Sequence, residues 1–398
     1  MKILVVDDEP FALRLVTHQL GRMGFSDVVA HERATDALAM LQSDAHAADV
    51  ILLDLQMPEM DGVEFVRHLA SLRFPGGLIL LSAEDERIIE TVRKLAQAHS
   101  LDVLGALHKP VTSEQLQRLL GGAAKTPMRT PRTEAKRYSP VRLMQAIAGG
   151  ELRNVYQPKV ELGTGRVAGV ETLVRWQHPE DGLIGPDQFI PLAEEYHLID
   201  DLTRTMLVKA LAQARAWAES GLDLHIGVNV SMDNLGALDF PDFVARALAT
   251  AGVRPEMLVL EVTESRLMTN TLAALDILTR LRLKHIGLSI DDFGTGHSSL
   301  AQLRDIPFDE LKLDKGFVHG ALHDAANRTI LEANLGMAHQ LGIRTVAEGV
   351  EDREDWDLLK RLGCQLAQGY FVARPMVGAD LPGWMVEWDG RRAELVAG

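Results

Sequence analysis

The chain has 398 residues, 46% of them apolar and 24% charged, which is too long for one ordinary domain and enough to bury a core without staples. A formal charge of −15 excludes nucleic-acid binding as the main business of the surface. A single cysteine, Cys364, excludes a disulfide framework or a thiolate zinc site within the chain and reads as a filler of core space.

In chain order, the first element is the apolar run Ile3–Val6, too short for a signal peptide and closed by Asp7 and Asp8. No stretch approaches the roughly 18 apolar residues of a membrane span, so cytoplasmic residence without a membrane partner is the expectation. Further apolar runs follow at Val28–Ala30, Val50–Leu53, Leu78–Leu81 and Val103–Leu107. Between them, stretches such as Phe11–Met23 and Val63–Leu72 carry apolar residues at three-and-four spacing. Strands alternating with helices predict an α/β domain over 1–120, a five-stranded parallel sheet wound on both faces. Residues 121–139 break the pattern with Gly121, Gly122, Pro127 and Pro131 among five basic residues, and read as an exposed linker.

From about 140 the alternation resumes with a longer period. Apolar strands end near Glu171, Asn229, Glu261, Asp291, Leu313, Glu348 and Gln368, with extra room for helices before Asn229. Repeated β/α units at this spacing predict a (β/α)8 TIM-barrel-like domain over 140–388, followed by a tail over 389–398. No internal repeat or DNA-binding output module is evident.

The chemistry of the first domain gathers where strands end: Asp7 and Asp8 after the first, Asp54 at the third, Ser82 after the fourth, Lys109 after the fifth. In a doubly wound sheet these ends line one crevice. Three carboxylates there repel unless a divalent cation sits among them, and Mg²⁺ prefers oxygen ligands. The cation and Lys109 would neutralise an incoming phosphoryl group, leaving Asp54 as its acceptor, with Ser82 bonding the new oxygens. Either acid alone is an ordinary strand cap; five such positions on one edge are what point to a site.

VVDDEP, LLDLQMPEMDG, LSA and KP, in this order, resemble a two-component receiver domain. The resemblance implies phosphorylation of Asp54 by a histidine kinase or phosphotransfer protein, with Asp7 and Asp8 holding one Mg²⁺. Receivers commonly carry an aromatic switch residue three positions before the lysine; here it is Ala106, so the usual rotamer relay is missing.

The second domain presents Glu171 in ETLVRW, Asn229 in NVS, Glu261 and Glu264 in LEVTE, Asp291 and Asp292 in DDFGTG, and Glu348 and Glu351 in AEGVE. Each is expected at or just past a strand end, and in a barrel those ends meet at one mouth. Carboxylates with an amide and no clustered His or Cys indicate Mg²⁺ or Mn²⁺. Asp291 and Asp292 are adjacent, so both reach the mouth only where the strand is ending and turning. There Asp291 could bridge two ions about 4 Å apart, an arrangement suited to in-line attack on a phosphodiester. Lys312, in ELKLD, is placed to orient the water or to neutralise charge, and Arg175 to clamp a phosphate.

YQPK, ExLxRW, NVS, ExTE, DDFGTG, LKLD, EGVE and QGYxxxRP occur together in the order of the EAL-domain family of cyclic di-GMP phosphodiesterases. The resemblance implies hydrolysis of cyclic di-GMP to linear pGpG with two Mg²⁺ or Mn²⁺ ions. Glu171, Asn229, Glu261 and Asp291 correspond to ligands of the first ion, and Asp291, Asp292 and Glu348 to those of the second. Lys312 corresponds to the water-coordinating lysine and Glu264 to the glutamate that steadies the DDFGTG loop; with Glu348 they make up the catalytic set. Gln157, Leu173, Arg175, Asn229, Asp314, Glu351 and Gln368 correspond to substrate-contacting or supporting positions. A homo-oligomer, dimer or higher, is implied as well. Two departures stand out: Thr172 in the middle of the signature tripeptide, where little effect is expected, and His297 where many members have tyrosine. Two outputs stay open: turnover, controlled through Asp54, or a catalytically silent receptor signalling through protein partners. Receptors of that kind typically lack some ligands, and here every ligand position is filled.

Overall fold

In the first unit the runs Ile3–Val6, Val50–Leu53 and Leu78–Leu81 are apolar and buried at every position, because helices cover both faces of the sheet, as parallel pairing through βαβ crossovers requires. In this computed structural model, which describes residues 1–44, 46–83, 86–99, 101–125, 138–263, 271–294, 303 and 306–396, the chain divides into two compact units, Met1–Glu134 and Ala135–Gly398.

The first unit runs β1 (Ile3–Val6), α1 (Pro10–Arg22), β2 (Val28–His31), α2 (Ala34–Ser43), β3 (Val50–Asp54), α3 (Gly62–Ser71), β4 (Gly77–Ser82), α4 (Glu86–Ala98), β5 (Asp102–His108) and α5 (Ser113–Lys125). The sheet is parallel in the order β2-β1-β3-β4-β5, the predicted doubly wound fold. Alternation divides its core in two. Leu4, Val6, Ile51, Leu53, Leu78 and Leu80 face α2, α3 and α4, while Ile3, Val5, Val50, Leu52, Ile79 and Leu81 face α1 and α5. The switch between faces leaves a crevice at the carboxyl ends of β1 and β3.

The second unit is a closed barrel of β6 (Leu152–Glu161), β7 (Val167–His178), β9 (His225–Val230), β10 (Leu258–Thr263), β11 (Gly287–Phe293), β12 (Glu310–Leu313), β13 (Arg344–Ala347) and β14 (Leu366–Ala367), with β8 (Gly182–Ile184) hairpinned onto β7 outside the ring. Closure comes from β6, which pairs with β7 and β14 and is antiparallel to both. It is the eighth strand, one that the series of predicted strand ends does not contain. The loop from Glu161 to Val167 is too short for a crossover, and a short connection imposes antiparallel pairing.

Four expectations change. β7 does not end at Glu171 but continues to His178, because its outer half is paired with β8 and the start of β6. The space before Asn229 holds that hairpin as well as the helices Ile190–Glu195 and Ile199–Glu219. The expected tail from 389 continues a helix, Leu381–Val396: Trp388 stacks on Trp384 at 5.6 Å, and its indole N–H donates to the Gly165 carbonyl at 2.7 Å. Both ends of the expected linker are ordered too. Helix α5 reaches Lys125, and Tyr138 packs on Trp176 at 4.7 Å, whereas residues 126–137 lie outside the described residues. Among the described residues, no helix is long and apolar enough to cross a membrane.

Candidate functional site

Two acidic centres form at carboxyl ends of strands, one in each unit. In the first, Asp7 follows β1, Asp54 ends β3, and Lys109 follows β5. The Lys109 ammonium lies 2.8 Å from both Asp7 Oδ2 and Asp54 Oδ2. Asp7 and Asp54 are buried and Asp8 is exposed, yet their nearest oxygens fall within 4.8 Å of one another. Burial pushes the Asp54 carboxyl up, Lys109 opposes it, and Asp7 adds to it. Burial also works against the Lys109 charge, but the hydrogen bonds and negative charges of Asp54 and Asp7 together outweigh it and raise the lysine. Ser82 is buried at the end of β4, and its carbonyl accepts from the Lys109 backbone N–H at 2.8 Å. All five predicted positions therefore meet at one edge. Ala106 is half-buried on β5 and packs against the core formed with α4.

The barrel centre is built around Lys312, whose side chain is 1% exposed. Its ammonium lies 2.6 Å from Glu348 Oε1, 2.8 Å from Glu261 Oε2, 3.1 Å from Asp291 Oδ1 and 3.4 Å from Glu171 Oε2. Oxygens of Glu171, Glu261 and Asp291 lie within 4.8 Å of one another, and so do those of Asp291, Asp292 and Glu348. Asp291 belongs to both sets. Its neighbour joins the second set because the register of β11 against β12 slips between Ile290 and Phe293, and Asp292 adopts φ 55°. The bulge supplies the turn that two adjacent acids need.

Glu171 sits mid-strand rather than at a strand end, yet it still faces the mouth because β7 extends beyond its neighbours. Asn229 Nδ2 donates to Glu171 Oε1 at 3.0 Å, and Gln368 Nε2 donates to Glu171 Oε2 at 2.6 Å and to Gln157 Oε1 at 3.1 Å. Thr172, next along, is buried with no hydrogen-bond partner for its hydroxyl. Successive residues of a strand alternate faces, so it lies across β7 from the carboxylates. Leu173 and Arg175 are half-buried on the same strand, and Arg175 donates to the Val174 carbonyl. Asp314 caps the turn after β12 by accepting from the Gly316 N–H at 2.9 Å. Glu351 is exposed at the rim, apart from the carboxylate cluster. Glu264 and His297 lie outside the described residues.

Electrostatics of the cluster reflect too few positive charges. Burial pushes Glu348 up to about 8, with Lys312 opposing and Asp291 and Glu171 adding to the push. Glu171 is likewise raised by burial against the pull of Lys312. Burial and the nearby Asp291 raise Asp292. Lys312 is raised well above an ordinary lysine: burial disfavours its charge, but four carboxylates outweigh it. Glu261 stands apart: burial raises it, yet Lys159 and Lys312 together hold it down to about 2. Two ammoniums, Lys312 and Lys159, against five carboxylates leave negative charge that divalent cations would neutralise, and an all-oxygen donor set suits Mg²⁺ or Mn²⁺.

Several residues escaped the sequence reading. Lys159 Nζ donates to Glu261 Oε1 at 2.7 Å and to Glu310 Oε1 at 2.9 Å. Both are legible as charges two residues from an assigned position on the same strand: Lys159 after Gln157, Glu310 before Lys312. Asp355 is buried and ties down the rim. It accepts from the backbone N–H groups of Glu351 at 3.1 Å and Gly320 at 3.2 Å, and its Oδ2 lies 2.9 Å from His319 Nδ1. Gly349, at φ 65°, lets the chain turn between Glu348 and Glu351 where a Cβ would strike Lys315.

Comparison with known proteins bears on both units. Residues 141–375 match the family described as EAL domain, and residues 3–120 the response regulator receiver domain. The cyclic di-GMP phosphodiesterase RocR of Pseudomonas aeruginosa is 34% identical over 379 residues, covering 94% of this chain and 96% of that protein. The bifunctional diguanylate cyclase/cyclic di-GMP phosphodiesterase MucR of the same organism is 42% identical over 240 residues, 60% of this chain but 35% of that protein. A solved structure titled PaMucR Phosphodiesterase, c-di-GMP complex, superposes with a TM-score of 0.58 at 42% identity, covering 60% of this chain and 97% of that one.

Proposed function

Because this chain belongs to the EAL domain family and carries a response regulator receiver domain, we propose that it hydrolyses cyclic di-GMP to linear pGpG under control of phosphorylation at Asp54. The observation that carries the reading is the double membership of Asp291 in two sets of clustered carboxylates around Lys312. The chain is metal-dependent on this reading. Glu171, Asn229, Glu261 and Asp291 would hold one ion, and Asp291, Asp292 and Glu348 a second, each Mg²⁺ or Mn²⁺. When bound, such a pair activates water and steadies the departing oxygen of a phosphodiester.

The chain's own groups do the rest. Asn229 and Gln368 hold Glu171 by both oxygens, so its orientation is set before substrate arrives. Lys312 keeps Glu261, Asp291 and Glu348 converged and brings a positive charge to the place where phosphate charge develops. The Arg175 guanidinium matches a pair of phosphate oxygens. Gln157, Leu173, Asp314, Glu351 and Gln368 are the remaining proposed contacts to the dinucleotide, and Glu264 is assigned to the loop after Asp291 by position in the motif.

In the receiver, Asp54 is the proposed phosphoryl acceptor, Asp7 and Asp8 the holders of one Mg²⁺, and Lys109 and Ser82 the groups that meet the new phosphoryl oxygens. A histidine kinase or phosphotransfer protein is the proposed donor, a homo-oligomer the proposed assembly and the cytoplasm the proposed location. The test is turnover of cyclic di-GMP by purified full-length chain with Mg²⁺, with and without a small-molecule phosphodonor. Linear pGpG at a rate that changes with phosphodonor is expected; cyclic dinucleotide bound but uncut would refute the enzymatic reading.

A further inference from the structure

Inside a β/α barrel the layer below the mouth is ordinarily filled by branched apolar side chains. Here it is polar. Lys159, on β6 opposite Gly169, lies two residues from Gln157, and Glu310, at the start of β12, lies two residues before Lys312. Both are buried. Together with the mouth they form one line of alternating charge. Arg344 lies 3.6 Å from Glu310, Glu310 lies 2.9 Å from Lys159, Lys159 lies 2.7 Å from Glu261, and Glu261 lies 2.8 Å from Lys312.

Glu261 is the pivot of that line. Its Oε1 accepts from Lys159 below, so only Oε2 is turned toward Lys312 and the other carboxylates. Burying a second lysine this deeply is costly unless it is paired on more than one side, and Glu310 is the second partner. The backbone makes room for the pair. A Cβ on Gly227 would collide with Glu261 Oε1 and approach Lys159 Nζ to 3.3 Å, so the facing position on β9 accepts no side chain.

We propose that Lys159, anchored by Glu310 and admitted by Gly227, is a positioning residue that fixes which oxygen of Glu261 is offered to a cation at the barrel mouth. The inference rests on the two-cation reading above. It predicts that Lys159 acts on cation affinity through Glu261, without itself touching cation or substrate. Partners that orient ligating side chains in this way contribute about 10–100-fold to metal affinity.

The test is Mn²⁺ binding by the full-length chain, followed by the loss of the free-ion paramagnetic resonance signal. An Asp7→Asn/Asp8→Asn background removes two of the receiver's three clustered acids. Lys159→Met should lower Mn²⁺ affinity at least about tenfold, Gly227→Ala should do so with both charges intact, and Glu310→Gln should give a smaller loss by freeing Lys159. Lys159→Arg should restore much of the affinity lost in Lys159→Met. Circular dichroism identifies variants that fail to fold, and Glu310→Gln, which keeps shape and removes one charge, decides the matter if Lys159→Met is among them. A folded Lys159→Met or Glu310→Gln chain that binds Mn²⁺ like its parent overturns the proposal. Failure of the parent to bind Mn²⁺ at the barrel would overturn the two-cation reading instead, so the two failures are distinct.

Discussion

Receiver and barrel solve one problem at different depths. Each gathers acids at carboxyl ends of parallel strands and places a lysine among them. In the receiver, Lys109 is 18% exposed and pairs with two aspartates, while Asp8 faces solvent. In the barrel, Lys312 is fully buried, pairs with four carboxylates, and has a second buried lysine beneath it. A site proposed to accept a phosphoryl group has to be reached and has to change charge. A site proposed to hold cations through repeated turnover gains from being deep and invariant, since low dielectric strengthens every interaction within it.

The sharpest way to break this comparison is at Asp291, which stands in both carboxylate sets. Asp291→Asn should reduce pGpG formation by about a thousandfold or more, measured by chromatography of the products, because both proposed cations lose a ligand. A variant with near-normal turnover would show that the two sets are not one site.

Next come the two lysines. Lys312→Met should reduce turnover by about 100- to 1,000-fold. Without divalent cations it should also cost about 3–5 kcal/mol of stability in urea titration, because buried carboxylates lose their partner; Mn²⁺ should return much of that. Lys109→Met should cost less, about 1–3 kcal/mol, since its partners Asp7 and Asp54 are buried but its own ammonium keeps contact with water. Equal losses at the two positions would dissolve the distinction in depth. Asp54→Asn sharpens it from the other side: basal turnover should stay within about twofold, while the response to phosphodonor disappears.

Smaller effects belong to the rim. Asp355→Ala strips a buried acceptor from the Glu351 and Gly320 backbone N–H groups and should cost about 1–3 kcal/mol, with a modest fall in kcat. The hydrogen bond to Asp355, against some loss to burial, raises His319 above its ordinary value near 6.5. A group raised on folding stabilises below its unfolded pKa and loses that contribution as pH rises through the folded pKa. The Tm difference between wild type and His319→Gln should therefore be larger at pH 5.5 than at pH 8.5; the reverse order would refute the pairing.

Much of both sites is legible in the chain because the chemistry lies in short strings at strand ends. An apolar run followed by acids announces both the strand and the crevice it opens into, which is why Asp7, Asp54, Asn229, Glu261 and Asp291 fall into their groups on sequence pattern alone. Glu171 lies beside Glu261 and Asp291, but in the middle of its strand rather than at the end, since a hairpin partner outside the barrel lengthens that strand. The adjacency of Asp291 and Asp292 called for a turn, and the fold supplies it as a register slip against β12.

By itself, then, the sequence determined the two α/β units, the strands that carry acids and the oxygen-only character of the side chains gathered at their ends, because these follow from local pattern and side-chain chemistry. Tertiary structure decided that β6 closes the barrel in the opposite direction, that Glu171 and Gln368 share a hydrogen bond, and that Lys159 lies under Glu261. Those relations join residues far apart in the chain, and only closure of the sheet, which selects each strand's neighbours, brings them within reach.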